Sequence, residues 1–181
     1  MVKNIAFGAL GVAALGLLSG CLSSFTPHAG RVDEPVLKPE MFFAGHTRGE
    51  GTLATLTGSR TSLLVEGHGY AEGDGTFRLD QKVTFSNGQT ETRTWRLHKR
   101  DSKNYSATLS GAAGEVTAEV TGNLLRLRYL LRRPAVYMDQ RLYLQPDGRT
   151  VLNLATVTVI GIPWARLSER ITKIDSPPSR P

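Results

Sequence analysis

The 181-residue sequence predicts an all-β domain, an antiparallel up-and-down barrel of about eight to ten strands. Three observations lead there. Apolar residues recur at every second position in run after run, turn signals interrupt these runs roughly every 8–12 residues, and no long helical period follows the amino-terminal leader.

In chain order, "LLVEGHGYA" ends at the Gly73-Asp74-Gly75 cluster, and the next run begins at Thr76. The clearest piece is "TFRLDQKVTFSNGQTETRTWRLHK", where Leu79, Val83 and Phe85 alternate before Asn87-Gly88 and Trp95 and Leu97 after it. Both turn residues tolerate positive φ, so the pair predicts a two-residue hairpin. "SATLSGAAGEVTAEVTG", Ser106 to Gly122, is dense in small side chains. These permit either tight bending of a curved sheet or unfilled space inside it. "LLRLRYLLRR" sets Leu125, Leu127, Tyr129 and Leu131 on one face and Arg126, Arg128 and Arg132 on the other. Asp147-Gly148 then separates "VYMDQRLYL" from "TVLNLATVTVIG". Sequential hairpins of this kind close into a barrel that leaves no exposed edge. A membrane-spanning barrel is disfavoured, because the arginines would face lipid or crowd the lumen and aromatic girdles are absent.

Ahead of the strands lies an export signal. Lys3 charges the start, Ile5 to Leu18 is apolar or glycine, and the small residues Ser19 and Gly20 follow, the layout of a secretory leader. The apolar part falls short of the roughly 20 residues of a transmembrane helix. Leu18-Ser19-Gly20-Cys21 resembles a bacterial lipobox. It implies removal of residues 1–20, a diacylglyceryl thioether on Cys21 and an acyl chain on the new amino terminus. The thiolate is the nucleophile that takes up the lipid. Leu22 stands where an aspartate would favour inner-membrane retention, so the expected location is the outer membrane, with the domain facing the periplasm. Residues 21–40 read as the lipidated cysteine and a proline-bearing flexible tether, 41–175 as the barrel, and 176–181 as a disordered tail.

Cys21 is the sole cysteine, so no intrachain disulfide is expected and packing must hold the fold. The formal charge is +6. On an exported domain this basicity would meet anionic lipid head groups and lipopolysaccharide, not nucleic acid, but so modest a charge reads first as a plain solvated surface. Histidines 28, 46, 68 and 98 form no short-spaced pair, so no metal site is expected. The chain has no Gly-x-Ser-x-Gly elbow and no phosphate-binding glycine loop; no catalytic residue and no cofactor are expected. Polar residues within apolar runs are the candidates instead: Asp80, Arg93, Arg128, Asp139 and Asn153, with Trp95 as core or pocket wall. They read either as a buried network fixing strand register or as groups orienting a ligand's polar end.

"LKPEMFFAG", "LDQKVTFSNGQTETRTWRLHK", "GNLLRLRYLL" and "LNLATVTVIG" resemble the bacterial lipoprotein family known as domain of unknown function 3833, over about Leu37 to Ile174. The resemblance implies a lipocalin-like (calycin-type) barrel. Its pattern falls on Asp80, Phe85, Gly88, Arg93, Trp95, Gly122, Asn123, Arg128, Tyr129, Asp139, Asn153 and Gly161, which adds Asn123 to the candidates. This chain departs from it at Gln81, where members usually carry glutamate, and at Leu127, where they carry tryptophan. The usual acidic-aromatic cluster near Asp139 is reduced to "YMDQRLY".

The functional expectation is a membrane-anchored periplasmic lipoprotein whose barrel binds an apolar or amphipathic, lipid-like small molecule. The rivals are a non-enzymatic scaffold docking another envelope protein, and a weak hydrolase or isomerase built on a solvent-reachable cluster of Asp80, Arg93 and Asp139. The anchor makes its own prediction. Cys21→Ser removes palmitate labelling in the producing bacterium, and continued labelling refutes the lipobox.

Overall fold

The computed structural model describes residues 29–174. The expected leader, Cys21 and the tail from Ser176 lie outside the described residues. Ten strands follow one helical turn: α1 (Pro39–Phe42), β1 (Gly45–Thr55), β2 (Arg60–Ala71), β3 (Phe77–Phe85), β4 (Thr90–Lys99), β5 (Asn104–Leu109), β6 (Val116–Thr121), β7 (Leu124–Arg132), β8 (Val136–Leu144), β9 (Thr150–Val159) and β10 (Ile162–Ile174). Each strand pairs antiparallel with the next, and β10 returns to pair with β1, closing the barrel. The expected architecture is present with ten strands. Alternation sends Leu79, Val83, Trp95, Leu97, Leu125, Leu127 and Tyr129 into the core. Arg48, Glu66, Lys82, Arg96, Arg128 and Arg141 take the exposed positions between, unlike the apolar outer band of a membrane-spanning barrel.

The Asn87-Gly88 turn differs from expectation. The connection takes four residues, 86–89, and only Gly88 has positive φ (85°). Asn87 contributes through its side chain, whose Oδ1 accepts the Gln89 N–H at 3.0 Å, an Asx turn. The small-residue pair β5–β6 resolves toward bending. Ala107 and Ala118 are buried and let the wall close on Tyr105, Leu109 and Val116. No residue of either strand lines the barrel's main cavity.

One end of the barrel is plugged, and the plug is the segment expected to be a free tether. Residues 29–38 cross the end where β1 begins and β10 finishes. Leu37 is fully buried and donates its N–H to Gly122 O at 2.9 Å. Asn123 fastens the same segment: its Oδ1 accepts the Val32 N–H at 2.9 Å, and its Nδ2 donates to Leu144 O at 3.0 Å. Gly122, at φ 57°, is required here, because a Cβ would overlap the Val32 carbonyl in a conformation other residues avoid. α1 opens with a proline, whose missing N–H is harmless in a first turn. It places Phe42 edge-on to Phe43, ring centroids 4.9 Å apart, across the barrel mouth. Glu40 on α1 accepts the Tyr105 hydroxyl at 2.9 Å and the Lys99 ammonium at 3.3 Å. Burial raises the Glu40 carboxyl, but its backbone N–H, Tyr105 and Lys99 together outweigh that and hold it below its usual value.

The plug therefore belongs to the folded core. Leu37→Ala lowers stability by about 2–4 kcal/mol, the usual effect of emptying a buried leucine site, read as a reduced urea midpoint with an unchanged slope.

Candidate functional site

Between the plug and the opposite rim the barrel is hollow. A cavity of about 250 Å³ is lined from β1–β4 and β7–β10, with nothing from β5 or β6. Leu53, Leu63, Val65, Val83, Leu127, Met138 and Val157 give it apolar walls. Polar side chains reach it at five wall positions besides Glu91: Gln81, Arg93, Gln140, Asn153 and Glu169.

Glycines on β1 make the polar floor. Gly49 and Gly51 sit opposite Ile171 and Glu169 in the β1–β10 register. A Cβ on Gly49 would overlap Glu169 Oε1, and one on Gly51 would stand 2.8 Å from Ser168 O and 2.9 Å from Glu169 Cβ. The Glu169 side chain thus lies in a groove that only glycine leaves open. Asn153, its register partner on β9, donates Nδ2 to Glu169 Oε2 at 2.9 Å. The remaining oxygens, Glu169 Oε1 and Asn153 Oδ1, are buried with no protein partner. Such groups are costly to leave unmade, about 1–3 kcal/mol each. Burial raises the Glu169 carboxyl above its ordinary value; the Asn153 amide and the Arg93 charge offset this only in part.

Arg93 also faces inward and pairs with Glu91 at 2.9 Å, both partly solvated. Trp95 forms wall beside it, its Nε1 donating to Gln81 Oε1 at 2.9 Å. Its ring meets Tyr129 edge to face, centroids 5.7 Å apart, and burial pushes the Tyr129 hydroxyl up to about 12.

The structure divides the sequence candidates among three places. Asn153, Trp95 and Arg93 line the cavity. Asp80 does not join Arg93; it points outward, accepting Thr94 Oγ1 at 2.7 Å, Arg78 Nε at 3.0 Å and Tyr70 Oη at 3.3 Å. Asp139 is outside too, held by Arg126 and, at 3.7 Å, by Arg141. Arg128 is its register neighbour but stays exposed, and the carboxylate goes to the other two arginines. Asn123 ties down the plug, far from the polar floor. The cause is pleat parity: Asp80 follows inward Leu79, whereas Arg93 lies two residues before inward Trp95. The wall separates them, so Asp80, Arg93 and Asp139 do not form one cluster. Glu169 was missed by sequence reasoning. Its signal was present: in "ARLSERITKI" Ala165, Leu167 and Ile171 alternate, and Glu169 falls in their row.

The family model described as "Protein of unknown function (DUF3833)" matches residues 15–173. The chain belongs to this family. Its resemblance, read from four segments, holds over nearly the whole chain. No curated protein matches the chain by sequence. Among solved structures it is similar to the S-type phycobiliprotein lyase CPES from Guillardia theta, with TM-score 0.59 and 6% identity over 76% of this chain and 92% of that one. It is similar also to Rv2717c from M. tuberculosis, with TM-score 0.54 and 15% identity over 77% and 99%. A protein of the DUF3598 family from Nostoc punctiforme gives TM-score 0.52 and 15% identity over 83% and 53%. At these identities the likeness is one of fold, and it places the chain among lipocalin-like barrels.

The buried acid has a pH signature. Its folded value lies above its ordinary 4.5, so the folded state holds the proton more tightly than the unfolded chain. Stability from this group is complete below about pH 4.5 and declines as pH rises through the folded value. Glu169→Gln flattens that decline and raises the urea midpoint at neutral pH relative to the parent.

Proposed function

We propose that the barrel holds one small apolar or amphipathic molecule, lipid-like in character, as a carrier or sensor and not as a catalyst. The observation that carries this reading is the pair of unpartnered acceptor oxygens, Glu169 Oε1 and Asn153 Oδ1, on the wall of an otherwise apolar cavity. The apolar lining accepts a hydrocarbon chain or ring. The two oxygens accept hydrogen from a hydroxyl, amide or ammonium group, which fixes the orientation of the guest. A cavity of about 250 Å³ suits a ligand of modest size, since ten strands leave room that eight would fill. Fold likeness to a phycobiliprotein lyase is compatible with a barrel that handles a small molecule.

The address completes the reading. A leader ending in Leu18-Ser19-Gly20-Cys21 supports export and lipid anchoring, with the outer membrane as the site and the periplasm as the compartment faced. Amphipathic molecules are abundant there.

The test uses residues 23–181 exported through a cleavable leader and purified without detergent. Native mass spectrometry finds a retained small molecule, and Glu169→Gln weakens its rebinding about tenfold or more, the range for a hydrogen bond to a charged or strongly polar group. A clean apo mass with no uptake from a bacterial lipid extract overturns the proposal.

A further inference from the structure

The end of the barrel opposite the plug is built differently. Three connections stand side by side there: residues 56–59 between β1 and β2, 133–135 between β7 and β8, and 160–161 between β9 and β10. Barrel closure makes them neighbours, because the order runs β2, β1, β10, β9, β8, β7. Two backbone hydrogen bonds join them into one lip. Ile160 N–H donates to Ala135 O at 3.0 Å, and Leu56 N–H to Trp164 O at 2.7 Å.

This lip holds large apolar side chains in water. Ile160 is 75% exposed, Leu56 63%, Ile162 57% and Trp164 44%, with Tyr137 beside them at 51%. Single exposed apolar residues are ordinary; five along one edge are not. Ile160 is also the one non-glycine with positive φ (48°) among the described residues, an outlier for a β-branched side chain. With Gly161 at φ 79°, the turn has the conformation that Asn-Gly adopts without strain. The strained position and the most exposed isoleucine coincide.

Charge surrounds the same edge. Arg60, Arg132, Arg133 and Arg166 are all exposed. None forms an ion pair among the described residues, and residues 56–60, 130–137 and 158–166 contain no aspartate or glutamate. We propose that the lip docks on the surface of an anionic phospholipid bilayer. Ile160, Ile162, Leu56 and Trp164 enter the interfacial region, where tryptophan is favoured, and the arginines pair with lipid phosphates. The contact is separate from the amino-terminal anchor, because residues 29–38 enter at the plugged end. It is also separate from the cavity: an empty barrel would dock equally well.

Trp164 reports the contact directly. The full chain carrying Trp95→Phe has Trp164 as its sole tryptophan, and it is mixed with vesicles of equimolar phosphatidylcholine and phosphatidylglycerol bearing brominated acyl chains. Docking shifts Trp164 emission to the blue and quenches it; pure phosphatidylcholine vesicles or high salt remove the effect. Arg132→Gln with Arg133→Gln weakens this quenching-detected association roughly thirtyfold, at about 1 kcal/mol per basic residue near a charged surface. Ile160→Asn lowers quenching yet raises the unfolding temperature by about 3 °C, because asparagine accepts the positive φ. Should Trp95→Phe not fold, the difference between the parent and Trp164→Phe isolates the same signal. A Trp164 that stays unquenched by brominated lipid and open to acrylamide on anionic vesicles overturns the proposal. So does a lip whose arginine and Ile160 variants abolish self-association or protein capture while lipid contact is absent.

Discussion

Ten strands closed on one another enclose more volume than a single layer of inward side chains fills, and most of this molecule is a response to that surplus. On the β4–β7 side Ala107 and Ala118 are buried in the core, and Trp95 meets Tyr129 edge to face. At one end Leu37, Phe42 and Phe43 fill the opening. What neither device fills is the hollow between β1–β4 and β7–β10. Packing to native density is the default for interiors, so a remaining apolar void with polar groups on its wall is a retained feature of the fold.

The chemistry of that void runs against stability. Gly49 and Gly51 give up side-chain contacts in a strand, where glycine is disfavoured, and the space goes to a buried carboxyl. Glu169 is satisfied on one oxygen by Asn153 and left open on the other. An apolar residue there would pack better and avoid desolvating an acid. Two glycines, one acid and one amide on three adjacent strands form a local arrangement that costs stability, a cost the proposed guest would offset.

The barrel also has direction. Its plugged end is tied by long-range hydrogen bonds from Leu37 to Gly122 and from Val32 to Asn123. Its other end presents to solvent isoleucines, a tryptophan and arginines that form no ion pair among the described residues. One end is built for closure and the other for contact. The plug closes the end opposite the proposed lipid surface, and docking there is independent of whether the proposed pocket is filled.

Alternation along the chain determined the strands, their number to the range of eight to ten, and the faces of most residues, because side-chain period is a local property of extended backbone. Read strictly, the same parity separates Asp80 from Arg93 and places Glu169 among Ala165, Leu167 and Ile171. An Asp80–Arg93–Asp139 cluster is incompatible with it. Asn87-Gly88 marked the turn correctly, although its detailed conformation depended on neighbouring hydrogen bonds. Other features had no local signal. The proline-bearing stretch before Pro39 reads as a tether until Gly122 and Asn123, some ninety residues away by the separation of Val32 and Asn123, provide its partners. Gly49 becomes the cradle of Glu169 only because β10 closes onto β1. The lip exists only because closure sets three distant turns side by side. Local periodicity decides what faces inward; which inward and rim residues meet is decided by long-range strand pairing, and only the closed barrel supplies that.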